Sequence, residues 1–209
     1  MLGKPEESSQ VRSLAVAIRR ESPEQMHLGL LLRLDSGELK QLHLGWHNLF
    51  SFTEYDGKFF WIKPSISDRA LSAIVDWLEV VYEQNGNKIP YSVIYTGDDY
   101  WDAGRFSAEA GFGFTCATFV VEAFRKFRYD LIDRNTWPHR VDDKIWAKNI
   151  LCKNGSYMPM NHLLAQLTSL NYMVRFRPEE VAGAALIYGG VPVKFDDAEK
   201  VAKKIVSIL

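Results

Sequence analysis

Residues 27–34, HLGLLLRL, form a dense apolar run of strand length, and Asp35-Ser36-Gly37 follows it with turn chemistry. Residues 38–44, ELKQLHL, then alternate apolar and polar, the pattern of a returning strand. A hairpin constrains more than its own length, because its register decides which side chains share a face. With a three-residue loop, Leu34 stands opposite Glu38, Gly29 opposite His43 and His27 opposite Gly45. His27, Gly29 and His43 then share one face, with the two imidazoles as diagonal neighbours, Cβ atoms about 7–8 Å apart. A two-residue loop would turn His43 to the other face. Gly29 leaves the strand bare between them, so another element can pack close, and a helix bearing a cysteine would fit there.

The remaining pattern is strands first, then helices. Residues 11–19, VRSLAVAIR, read as a first strand or short helix, and 58–63, KFFWIK, as a strand after the Asp56-Gly57 turn. Over 67–84 the period changes. Leu71, Ile74, Val75, Leu78, Val81 and Tyr82 fall at helical spacing, with Ser67 or Asp68 as cap. Residues 86–113 hold few periodic signals and read as a long loop with short strands. Residues 115–127, TCATFVVEAFRKF, form an amphipathic helix with Phe119, Val120, Ala123, Phe124 and Phe127 inward. Further helices are expected at 137–150, at 160–170 and from Asp196 to the end, where Val201, Ile205 and Leu209 face inward. Segregated strands and helices predict an α+β fold with an antiparallel sheet. The 209 residues suit a single domain.

Composition excludes several function classes. With 25 Lys and Arg against 26 Asp and Glu, the formal charge is −1, which offers no global attraction to nucleic acid or an anionic membrane. No apolar run approaches the roughly 18 residues of a membrane span. The opening MLGKPEESSQ is polar and no apolar stretch follows, so no secretory leader is expected. Two cysteines, Cys116 and Cys152, make no disulfide framework, and a reducing, cytoplasmic setting is expected.

Cys116 is the most informative single position. It opens a predicted helix after the flexible Gly111-Phe112-Gly113. Unpaired N–H groups and the positive dipole end of a helix favour thiolate over thiol, and the same N–H groups can hold an oxyanion. A buried core cysteine is the plain alternative. His43 and His47 are four apart, which on a helix would suit zinc, but the run reads as strand and lacks a convincing third ligand, so no metal is expected. His139 and His162 fall on helical or loop ground and read as structural.

His27-Leu28-Gly29-Leu30, a turn, then Leu42-His43 resembles the histidine hairpin of the NlpC-like papain-fold hydrolases. Thr115-Cys116-Ala117-Thr118-Phe119-Val120 resembles the helix start that holds their nucleophile. Because the cysteine follows both histidines, the order is similar to the circularly permuted branch, which includes lecithin:retinol acyltransferase-like and YiiX-like proteins. The resemblance covers about residues 11–127 and leaves 128–209 as a helical C-terminal extension of one papain-like domain. It implies a cysteine hydrolase or acyltransferase acting on an amide, isopeptide or (thio)ester, with a small-molecule, peptide or acyl substrate and no cofactor. Cys116 would be the nucleophile, His27 the base and His43 the orienting residue, with His47 as the alternative. Ile89-Pro90-Tyr91 resembles a segment whose tyrosine lies near the oxyanion site, so Tyr91 is a candidate there and Tyr95 its rival. Residues 92–113 combine four glycines with Tyr100, Trp101 and other aromatics. They are expected either to line an apolar cleft beside Cys116 as a lid or to pack over the core.

Overall fold

The computed structural model describes residues 2–209. Its strands are β1 (Leu2–Gly3), β2 (Leu14–Ser22), β3 (Gln25–Arg33), β4 (Leu39–Leu44), β5 (Phe50–Glu54), β6 (Phe60–Ile62), β7 (Trp101–Asp102) and β8 (Arg105–Phe106). Its helices are α1 (Asp68–Asn85), α2 (Cys116–Arg125), α3 (Val141–Asn154), α4 (Met160–Ser169), α5 (Pro178–Ile187) and α6 (Phe195–Ile208). Six strands pair in the order β1-β6-β2-β3-β4-β5, every neighbouring pair antiparallel, and helices pack against them. The class is α+β.

The hairpin takes the three-residue loop. Leu30 pairs with Leu42, Leu32 with Lys40 and Arg33 with Leu39. The Leu34 N–H donates to the Glu38 carbonyl at 3.0 Å, and Gly37 adopts φ +86° to close the turn. Period two then sorts the strands. Val16, Ile18, Leu28, Leu30, Leu32, Leu42 and Leu44 face the helices in the main core. Ala15, Ala17 and Leu31 face the other way, into a smaller cluster with Val11, Phe59 and Trp61.

On the helical side, Leu71, Ile74, Val75, Leu78 and Val81 of α1 are buried, and Ser67 caps that helix by accepting from the Ala70 N–H. From α2, Phe119, Val120, Ala123 and Phe124 are buried on the sheet, the Phe and Val side chains each contributing about 1.5–3 kcal/mol by leaving water.

Residues 128–209 are helical, but they do not stand apart from the preceding part. Val181, Ala182, Ala184 and Ala185 of α5 are fully buried in the same core as the sheet and α2, and α6 packs over α5. The sequence reading of an extension beginning near residue 128 therefore marks no boundary in packing. Helix α5 is apolar nearly all round, so it carries no 3.6-residue stripe by which a sequence reveals a half-buried helix. Ala147, Ile150 and Leu151 of α3, Met158 in the link between the helices, and Leu163 and Leu167 of α4 build a second cluster, into which Tyr91 and Val93 insert.

Candidate active site

Cys116 is the first residue of α2. Thr115 caps the helix, its hydroxyl accepting from the Thr118 N–H at 3.2 Å while its own N–H donates to the Thr118 hydroxyl at 2.8 Å. The cap uses the Thr118 N–H and leaves those of Cys116 and Ala117 outside the helical ladder. Just before α2, the chain lies beside residues 90–92. The Phe114 N–H donates to the Pro90 carbonyl and the Ser92 N–H to the Phe114 carbonyl, both at 3.1 Å. A Cβ on Gly113 would stand 2.3 Å from the Pro90 oxygen, so only glycine permits this approach. The effect is to hold Tyr91 next to Cys116.

His162 and Gln166 of α4 secure the same segment from behind. His162 Nε2 lies 2.9 Å from the Tyr91 carbonyl oxygen, and its Nδ1 accepts from the Gly111 N–H at 3.0 Å. Gln166 Oε1 accepts from the Val93 N–H at 2.9 Å. His162 is thus a fully partnered structural histidine, as its position on a helix suggests.

The β3–β4 ladder ends at Leu30–Leu42, and beyond it β4 leans over β3 at Gly29. A Cβ on Gly29 would meet the His43 Cβ at 2.9 Å. The element admitted by the bare glycine is therefore His43 itself, not the cysteine helix that the sequence reading placed there. The close approach lets the two imidazoles meet. His27 Nε2 lies 3.0 Å from His43 Nδ1, with the rings edge to face and their centroids 4.9 Å apart.

His27, His43, Tyr91, Thr115 and Cys116 line one cavity of about 170 Å³. Its other walls come from Arg19 and Glu21 of β2, from Trp46, from Trp146 of α3 and from Arg175 and Phe176 just before α5. Sequence reasoning did not single out Arg19, Trp46, Trp146 or Arg175. No local motif marks them, because their shared wall exists only after distant elements pack.

The electrostatics differ from the simple helix-start expectation. Burial pushes the Cys116 thiol up to about 11, although the backbone N–H groups of Leu28 and Ala117 and the charge of Arg175 pull it down. Burial outweighs the helix terminus here, which corrects the expectation of a thiol activated by its position alone. Burial, then the charges of His43 and Arg19, pushes His27 down to about 3. Burial and Arg19 also lower His43. Tyr91 is raised by burial and by Cys116, so its hydroxyl stays protonated and can donate. Moving a proton from Cys116 to His27 creates two opposite charges at once, and their attraction in a poorly solvated cavity opposes both shifts.

Three further candidates lie elsewhere. Tyr95 donates its hydroxyl to Glu122 Oε2 at 2.9 Å, and the Trp101 indole N–H donates to Glu122 Oε1 at 3.2 Å. Arg125 completes the cluster around this fully buried carboxylate at 2.8 Å. Tyr100 is buried against Phe114, ring centroids 5.3 Å apart, and its hydroxyl accepts from the Thr96 N–H. None of the three lines the cavity. Of the two alternatives for this loop, packing over the core is the one observed: Tyr95 and Trp101 are committed to Glu122 and Tyr100 to Thr96, and no residue of 92–113 lines the cavity. His47 stands against His162 with ring centroids 5.0 Å apart and does not line the cavity either.

Cys116 and Cys152 are both free thiols, Cys116 half-buried and Cys152 exposed. Among the described residues, no group of three or more His, Cys, Asp or Glu side chains is placed to hold a metal ion, and no helix is long and apolar enough to cross a membrane. No family model matches the chain, and no curated protein or solved structure is significantly similar to it.

Proposed function

We propose that the protein is a cysteine hydrolase that forms a covalent acyl-enzyme on a permuted NlpC-like papain scaffold. The observation that carries this reading is the 3.0 Å contact between His27 Nε2 and His43 Nδ1 in the cavity that Cys116 also lines. With its hydrogen on Nε2, His27 donates to His43 and keeps the Nδ1 lone pair as a proton acceptor. The chain order, with the histidine hairpin before the cysteine helix, supports the same scaffold.

The chemistry follows from these roles. Cys116 sulfur attacks a substrate carbonyl and passes its proton to His27. The carbonyl oxygen takes up the negative charge, with the Tyr91 hydroxyl and the N–H groups at the start of α2 as its donors. The carbon–leaving group bond then breaks, and His27 returns the proton to the departing amine, alcohol or thiol. Water, deprotonated by His27, attacks the thioester, releases the acid and restores the thiol. An amine or alcohol in place of water would make the same site an acyltransferase. The substrate is an amide, isopeptide or (thio)ester of a small molecule, peptide or acyl group in a reducing cytoplasm. Neither cofactor nor nucleic acid takes part.

The raised thiol favours one rival, a non-catalytic binding module on the same scaffold. Incubation with activated acyl thioesters, followed by intact-mass analysis, separates the two. The enzyme reading expects one acyl group on Cys116, released by water, and none in Cys116→Ala. Absence of acylation in the wild-type protein favours the module.

A further inference from the structure

Arg175 lies on the cavity wall with its guanidinium carbon 3.6 Å from the centre of the Trp146 ring. Its side chain is only 15% exposed. It makes one ion pair, to Asp143 Oδ1 at 3.3 Å. That carboxylate is already shared, with Arg140 at 2.6 Å and Arg177 at 2.9 Å, and both of those have a second acidic partner. A guanidinium carries five N–H donors, and among the described residues Arg175 commits one of them. The other arginine on the cavity wall, Arg19, is paired with Glu21 at 2.8 Å and Asp56 at 3.4 Å. Glu179 acts on Arg175 without forming an ion pair, so among the described residues the cavity offers one arginine with uncommitted donors, held over an aromatic ring.

We propose that Arg175 is the specificity-determining residue of this site and binds a carboxylate that the substrate carries next to the bond attacked by Cys116. The inference rests on the acyl-transfer reading above. One cation with planar, paired donors matches a single planar anion, and a phosphate dianion would call for a second cation that the cavity does not offer. The carboxylate has two possible sources, a free chain terminus or an acidic side chain.

Iodoacetate and iodoacetamide test this directly, because they differ only in a carboxylate or an amide beside the reacting carbon. In both, the sulfur displaces iodide and the thiol proton is released. The rates are measured at pH 9 in a Cys152→Ser background, so that only Cys116 is read. Arg175→Gln is expected to lower the iodoacetate rate about tenfold relative to the iodoacetamide rate, and Arg175→Lys to restore part of it. Taking the ratio cancels any change in thiolate fraction, which a merely structural role would alter for both reagents. An unchanged ratio overturns the assignment of Arg175, while absence of labelling by either reagent overturns the acyl-transfer reading itself. Protection of the wild-type thiol gives an independent arm if Arg175→Gln does not fold. N-acetylglycine and the α-amide of N-acetylglutamate should slow iodoacetamide labelling more than N-acetylglycinamide does, and the better protector identifies the source of the carboxylate. Equal protection by all three would overturn the inference.

Discussion

A Cβ on Gly29 would stand 2.9 Å from both the His43 Cβ and the Leu42 carbonyl oxygen. The absent side chain is what lets β4 lean over β3 and bring His43 to His27. Gly29→Ala should push His43 away, with a loss of about 1–3 kcal/mol in stability from overpacking against backbone. Denaturant unfolding measures the loss, and imidazole nitrogen shifts report the broken His27–His43 contact. Wild-type stability with unchanged imidazole shifts would contradict the packing argument.

The histidines should rank in a definite order. His27→Ala removes the proposed base and should slow acylation of Cys116 by about 10²–10⁴-fold. His43→Ala loosens only the orientation of that base and should cost less. His47→Ala should do little, since His47 packs against His162 and does not line the cavity. Single-turnover acylation compares the three, and a dominant effect of His47 would undo the assignment.

Acid stability follows from the buried imidazole. His27 titrates near 3 in the folded protein against an ordinary value of 6.5, so between these pH values the unfolded chain binds more protons. Stability is therefore fully retained above pH 6.5 and falls as pH drops toward 3, by about 5 kcal/mol over the whole window. His27→Gln should flatten that decline in urea melts taken from pH 7 to pH 4. A decline of the same slope in the variant would place the cause elsewhere.

Thiol labelling should show the cost of burial. At neutral pH iodoacetamide should reach the exposed Cys152 before the half-buried Cys116. The Cys116 rate should climb from pH 7 to pH 10 without a plateau, because burial holds that thiol near 11. Peptide mapping resolves the two sites. A plateau already present at pH 5 would mean that Cys116 and His27 rest as a thiolate–imidazolium pair.

Trp101→Ala should destabilise by about 3–5 kcal/mol, as expected for a large ring removed from a packed core. Catalytic constants in the folded fraction should stay near wild type, since Trp101 and Tyr100 pack around Phe114, away from the cavity. Thermal melts paired with activity separate this outcome from a substrate-binding role, which would raise KM without loss of stability.

Local pattern determined the parts of this molecule that neighbouring residues decide among themselves. Alternation in residues 27–44 and the turn residues Asp35-Ser36-Gly37 placed His27, Gly29 and His43 on one face. Helical spacing, with Ser67 or Asp68 as cap, placed α1, and the amphipathic run 115–127 placed α2 and with it Cys116. Tertiary structure decided the rest. Helix α5 has no polar face, so its burial left no periodic trace. Tyr95 and Trp101 are drawn to Glu122 because that carboxylate is enclosed, a fact that no local spacing announces. Arg175 and Trp146 reach Cys116 only when α3 and the start of α5 close the cavity. The sign of the Cys116 shift was also out of reach: the dipole of a helix start is a local property, whereas the desolvation that opposes it depends on every element packed around the sulfur.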